Sequence, residues 1–199
     1  MQTLLIAVST VLTLVSAVPY IIEIIRHKTK PRIVSWFTWS LLTGIACAAS
    51  FADGKVASGI LMLAATVETM AIVVLGFAYG DRKFERLDII CQLGAIVGLL
   101  LWLIFNSPAI AVIAAVVIDC VGMIPTVKHS WQRPYEETWS TFFLAGVGAI
   151  ATVFAAGVWT ITSVAYPLYI VVANLLLTSL VLGSPHRKLS GEPAELREL

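Results

Sequence analysis

Two carboxylates stand in the middle of long apolar runs: Asp119 in VIAAVVIDCVGMIP and Glu68 in LAATVETMAIVV. An ionisable group at such a depth in a bilayer is costly, so each is a candidate for function. A carboxylate there can bind and release a proton, or pair with a cationic solute. The structural alternative is a neutral acid hydrogen-bonded between helices. Asn174, in YIVVANLLL, offers an amide at similar depth, which could serve a solute or bond a neighbouring helix. Glu68 and Ala71 are three residues apart and share a helical face.

Ser16, Tyr20 and Glu23 share one face of the first run, at spacings of four and three. Glu23 either pairs with Arg26 at i,i+3 or serves as a gate group. Trp36, Trp39, Trp139 and Trp159 fall near run ends, where Trp anchors to the interface. Trp39 is also placed to reach inward and stack on a ligand. Pro19, Pro125 and Pro167 lie inside runs, where each removes a backbone hydrogen bond and permits a kink. Gly44, Gly146 and Gly148 permit close helix approach or flexing. No metal-ligand cluster or nucleophile–base pair is visible, and His27, His129 and His186 all flank apolar runs. Neither enzymatic chemistry nor a cofactor is expected. Cys47, Cys91 and Cys120 read as small packing residues, not as a disulfide or metal framework.

The elements that position these residues follow from hydropathy. The 199-residue chain is 59% hydrophobic and 13% charged, with mean hydropathy +0.92. A soluble domain of this length could not hide so much apolar surface, whereas a bilayer is a solvent for it. The expected surroundings are therefore lipid, and a net charge of +1 gives no reason to expect a nucleic-acid partner. Seven runs fit helical spans, at about 4–25, 34–52, 56–79, 88–105, 108–128, 138–158 and 163–183. No basic residue precedes Arg26, so the first run reads as a permanent helix and not a cleaved signal.

Twelve of the thirteen Lys and Arg residues fall after spans one, three, five and seven; only Lys55 falls on the other side. The positive-inside rule then puts the N-terminus outside and the C-terminus in the cytoplasm. The expected location is a prokaryotic inner (plasma) membrane.

The sequence also repeats itself. Shifted by 103, PRIVSWFTWSLLTGIACAASFADG (31–54) matches PYEETWSTFFLAGVGAIATVFAAG (134–157) at nine of 24 positions. These include Pro31/Pro134, Trp36/Trp139 and Gly54/Gly157. The shift maps spans one to three onto five to seven, with span four between them. One crossing separates the units, so both point the same way, a parallel repeat about an axis along the membrane normal. The expected organisation is 1–80 as a first three-helix repeat, 81–106 as a linker helix, 107–183 as a second repeat and 184–199 as a cytoplasmic tail.

This arrangement, with Pro19 before Lys28, Lys30 and Ser35, and Pro125 before Lys128, Arg133 and Thr138, resembles the SWEET and PQ-loop transporters. Tyr20 and Thr126 stand where that family has a glutamine after the proline. The resemblance implies an all-α membrane protein, two parallel three-helix bundles joined by a linker helix. It also implies rocking about a central site. PQ-loop relatives couple to protons through membrane-embedded aspartates, a role that would fall to Asp119. SWEET proteins place a binding asparagine in the third helix of each unit, which would be Asn174, with Ala71 as its repeat partner.

The function expected is alternating-access transport of a small polar solute, such as an amino acid, a sugar or a related metabolite, coupled to protons. Asp119, Glu68, Asn174, Ser16, Tyr20 and Trp39 would form the site, and Pro19, Glu23, Pro125, Pro31 and Pro134 the gates and hinges. The alternative is a ligand-binding or sorting receptor of the KDEL-receptor type. A receptor for a peptide carboxylate would need basic groups within the membrane, and here they sit at or beyond helix ends. A retinal photoreceptor is set aside, because 163–183 holds no lysine.

Overall fold

A computed structural model describes residues 2–52, 56–80, 85–104, 108–156 and 158–185. Lys55, Arg82, Lys83, Gly54, Gly157 and the tail from His186 onward lie outside the described residues. Among the described residues there are seven α-helices: α1 (Gln2–Ile25), α2 (Ile33–Ala52), α3 (Val56–Tyr79), α4 (Arg86–Ile104), α5 (Pro108–Gln132), α6 (Trp139–Ala155) and α7 (Ile161–Gly183). A single 3-10 turn, Pro134–Glu136, joins α5 to α6. No strand occurs among the described residues. Among the described residues, three helical segments are long and apolar enough to cross a membrane: Leu4–Ile25, Val112–Gln132 and Ser163–Gly183. Shorter apolar segments run Ile33–Cys47, Ala65–Tyr79 and Trp139–Ala155. The protein is thus all-helical, and its long apolar helices support membrane association.

Helix ends follow local chemistry. α1 stops in a Schellman-type cap: the His27 N–H bonds Ile24 O at 2.9 Å, and Lys28 N–H bonds Glu23 O at 2.9 Å. His27 carries the positive φ of 58° that such a cap requires. This bend brings Thr29 back over the last turn of α1, where its N–H also reaches Glu23 O at 3.2 Å. At α7, Thr160 and Ser163 form a capping box.

α3 packs against both α1 and α2, and α7 against both α5 and α6. Between these groups, α1 packs on α6 and α2 on α5, while α4 lies against α5. In lipid, apolar burial gives helices little reason to associate, so close backbone approach and polar links matter more. Gly122 of α5 meets α2 where a Cβ would lie 2.8 Å from Thr38 Cγ2. Gly148 of α6 meets α1 where a Cβ would lie 3.3 Å from Leu12 Cβ. The buried core gathers Tyr20, Ile24, Trp36, Ile72, Met123 and Phe142, among others, near the end of the bundle where α1 stops and α2 and α6 begin. That end carries the described basic residues and is called the basic end below.

Trp36 departs from its expected interfacial place. It is 6% exposed and donates its Nε1–H to Tyr20 Oη at 3.2 Å. Trp139 and Trp159, at 40% and 61% exposed, keep the surface position expected of anchors.

Candidate functional site

Asp119 sits in α5, 4% exposed, where α2 and α7 both pack on that helix. Each neighbour supplies donors to it. Trp39 of α2 donates Nε1–H to Oδ1 at 2.6 Å. Tyr166 of α7 donates its hydroxyl to Oδ2 at 2.7 Å, and Tyr169 donates to Oδ1 at 3.3 Å. Three donors satisfy the acceptor sites of a carboxylate that would otherwise be buried at high cost. The Tyr166 and Tyr169 rings lie 6.1 Å apart, tilted by 40°. The result is a carboxylate held by donors from three aromatic side chains on two other helices.

The other expected site residues are not gathered there. Asn174 donates its amide to Ile170 O of its own helix at 3.0 Å. Its Cβ faces Gly146, whose added Cβ would lie 3.4 Å from it. Ser16 donates to Thr13 O, within α1, at 2.6 Å. Glu68 faces a shallow groove between α1 and α3, lined by Leu14, Ala17, Val18, Ile21, Leu63 and Val67. Four of those, Leu14, Val18, Leu63 and Val67, are exposed on the side of the bundle. Among the described residues, no hydrogen bond joins Glu68, Ser16 or Asn174 to Asp119.

Tyr20 and Glu23 belong to a second cluster, at the basic end. It joins the α1–α2 turn to the α5–α6 turn, the two segments whose sequences echo each other. Lys30 N–H bonds Glu136 O at 2.8 Å, and Lys30 Nζ pairs with Glu136 Oε1 at 2.7 Å. Glu23 does not pair with Arg26; its Oε2 accepts from Thr138 at 2.6 Å and lies 3.2 Å from the Thr29 hydroxyl. The two threonine hydroxyls lie 2.6 Å apart. Tyr20 donates to Glu137 Oε2 at 2.8 Å. Pro31 and Pro134 are both fully buried here and stiffen the two turns. Pro19 and Pro125 lie inside α1 and α5, each within about two turns of this cluster.

Burial pushes the Glu137 carboxyl up to about 8; the Tyr20 hydrogen bond pulls against this, Glu136 adds to it, and Arg32 opposes it. Glu85, at the surface, is held below its usual range by the hydrogen bond from Lys128. Arg32 forms a buried ion pair with Asp88 at the start of α4, which ties that helix to the same end. Among the described residues, no group of three or more His, Cys, Asp or Glu side chains could hold a metal ion.

Tyr166, Tyr169, Glu137, Thr29 and Thr138 carry much of both clusters, and none of them was expected as a site residue, although Thr138 belongs to the loop pattern noted in the sequence. Tyr166 and Tyr169 had one usable signal: two hydroxyls three residues apart within an apolar run share a face. Thr29 had none beyond membership of an echoing loop, and Thr138 only its place at the end of the proline–basic loop pattern. No protein-family model matches the chain, and no curated protein or solved structure matches it.

Proposed function

We propose that the protein is a seven-span transporter of a small polar solute bearing a positive charge, with Asp119 as the solute's anchor. The observation that carries this reading is the meeting of three helices at one carboxylate. Trp39 and the two tyrosines donate hydrogen bonds to Asp119. An incoming ammonium or guanidinium takes over part of that bonding and faces aromatic rings on the way. Because the donors sit on α2 and α7 and the acceptor on α5, exchanging them alters how those helices hold one another. A solute bound there has differential contacts with two arrangements, which is what alternating access requires.

The pairing of helices supports the same reading. The third helix of each group packs on the first and second, and the groups meet through α1 on α6 and α2 on α5. Exchanging the groups exchanges those two contacts, as a parallel repeat would. In the proposed orientation the basic end is cytoplasmic, and the clasp between the turns is its gate. The test is uptake by proteoliposomes of small amines, amino acids and neutral sugars, with Asp119→Asn as the control. Saturable uptake of a cationic or zwitterionic solute, lost in Asp119→Asn, supports it. Specific peptide binding without uptake favours a receptor instead.

A further inference from the structure

Glu137 has no part in the solute site, yet it is the most enclosed carboxylate of the clasp, its side chain 0% exposed. One oxygen, Oε2, accepts from Tyr20 at 2.8 Å. The other, Oε1, is buried without a hydrogen-bond partner among the described residues. His129 Nε2 faces it from 4.0 Å, beyond hydrogen-bond reach. Asp119 differs in the respect that matters: it is equally enclosed but accepts three hydrogen bonds. A buried anion with one oxygen unmet is unfavourable, and a proton on that oxygen removes the charge.

The charged neighbours do not supply the missing partner. From α1 comes Tyr20, a neutral donor already bonded to the other oxygen. From the start of α2 comes Arg32, whose guanidinium pairs with Asp88. From α5 comes His129, which also faces Glu136 Oε2 at 3.5 Å. From the 3-10 turn comes Glu136 itself, to which Lys30 and Arg133 are drawn at 2.7 and 3.6 Å. Lys30, Arg32, His129 and Arg133 thus each have another carboxylate closer to hand.

We propose that Glu137 is the proton-carrying group of this protein, neutral while the two turns are clasped and ionised once they part. The proposal rests on the transporter reading and assigns its coupled proton to the gate, separate from the solute carboxylate. Opening the clasp exposes Glu137 to water, where a glutamate ordinarily titrates at about 4.3, so the proton leaves to the cytoplasm. Retaking it favours closure, because only the neutral form sits comfortably against Tyr20 and the core. Enclosure that holds the carboxyl near 8 agrees with the geometry.

Infrared difference spectroscopy on the full chain in liposomes, between about pH 6 and about pH 10, reads the proton directly. The expected result is a protonated-carboxyl C=O band that disappears with a midpoint near 8. It should be missing in Glu137→Gln and kept in Asp119→Asn. Tyr20→Phe, which removes the donor that favours the ionised form, should move the midpoint upward. No such band in the unmodified chain, a band that survives in Glu137→Gln, or a midpoint unmoved in Tyr20→Phe overturns the proposal. The measurement needs no solute. Absence of uptake with the band as expected overturns the transporter reading alone; uptake with the band indifferent to Glu137 overturns this proposal alone.

Discussion

The hydroxyls of Thr29 and Thr138 lie 2.6 Å apart, although 109 residues separate them in the chain. Thr138 donates to Glu23 Oε2 at 2.6 Å, and the Thr29 hydroxyl lies 3.2 Å from the same oxygen. A carboxylate at the end of α1 is therefore shared by the two echoing turns. Parting the turns takes Thr138 away from Glu23 and Thr29 together, unless water replaces it. In the transporter proposed above, this clasp is the element that opens.

Thr138→Val keeps the shape of the side chain but removes the shorter donor to Glu23. It should cost about 1–3 kcal/mol, the range for a buried acceptor left unsatisfied. Thr138→Ser, which keeps the hydroxyl, should cost much less. Thermal unfolding in detergent, followed by circular dichroism, distinguishes them; equal losses for Val and Ser would show that the methyl group matters and the hydrogen bond does not.

Gly122→Ala places a methyl 2.8 Å from Thr38 Cγ2, closer than packing allows. Overpacking of this kind costs about 1–3 kcal/mol. Thr38→Ser deletes that Cγ2 while keeping the hydroxyl that reaches Val34 O and Gln92. The double variant should recover most of the loss, and additive melting shifts would mean that α2 and α5 do not meet there.

Asp88→Ala strands Arg32, 8% exposed, without its partner. Breaking a buried pair from one side costs about 3–5 kcal/mol, because the remaining charge is uncompensated. Replacing both partners with apolar residues should cost less than either single change. A double variant as unstable as the sum of the two would argue against the pair.

Stability should also depend on pH through Glu137. Its carboxyl is raised from 4.5 to about 8 in the folded chain. Between those values the folded chain holds a proton that the unfolded chain has lost, so stability falls as pH rises through this window and levels off above it. Glu137→Gln should flatten that decline, read as melting temperature against pH. A decline of the same size in the variant would place its source elsewhere.

Much of the fold was legible in the sequence, because hydropathy and helix length depend on local composition. The expected spans near 4–25, 56–79 and 163–183 fall within two residues of α1, α3 and α7 at most boundaries. The end of α5 was less legible: the helix continues through Lys128 to Gln132, since nothing breaks it before Pro134. The importance of Asp119 could be read from its depth, but its partners could not. Trp39, Tyr166 and Tyr169 come from two other helices, and helix rotation is set by packing that hydropathy does not encode. Asn174 shows the reverse case. A polar residue at the expected depth spends its amide on Ile170, one turn back in its own helix. Glu23 misled for a related reason: Arg26 was the near neighbour in sequence, but the cap at His27 turns the chain so that Thr29 and Thr138 arrive first.

The central claim is that Asp119 anchors a charged solute between α2, α5 and α7. Uptake of radiolabelled cationic and zwitterionic solutes into proteoliposomes tests it most directly, comparing the unmodified chain with Asp119→Asn and with Trp39→Phe. The account predicts saturable uptake by the unmodified chain. It predicts loss of at least tenfold in Asp119→Asn, equivalent to about 1.4 kcal/mol or more, and a smaller loss in Trp39→Phe, with melting temperatures little changed. Saturable uptake that is indifferent to Asp119→Asn, or confined to neutral sugars, would contradict it.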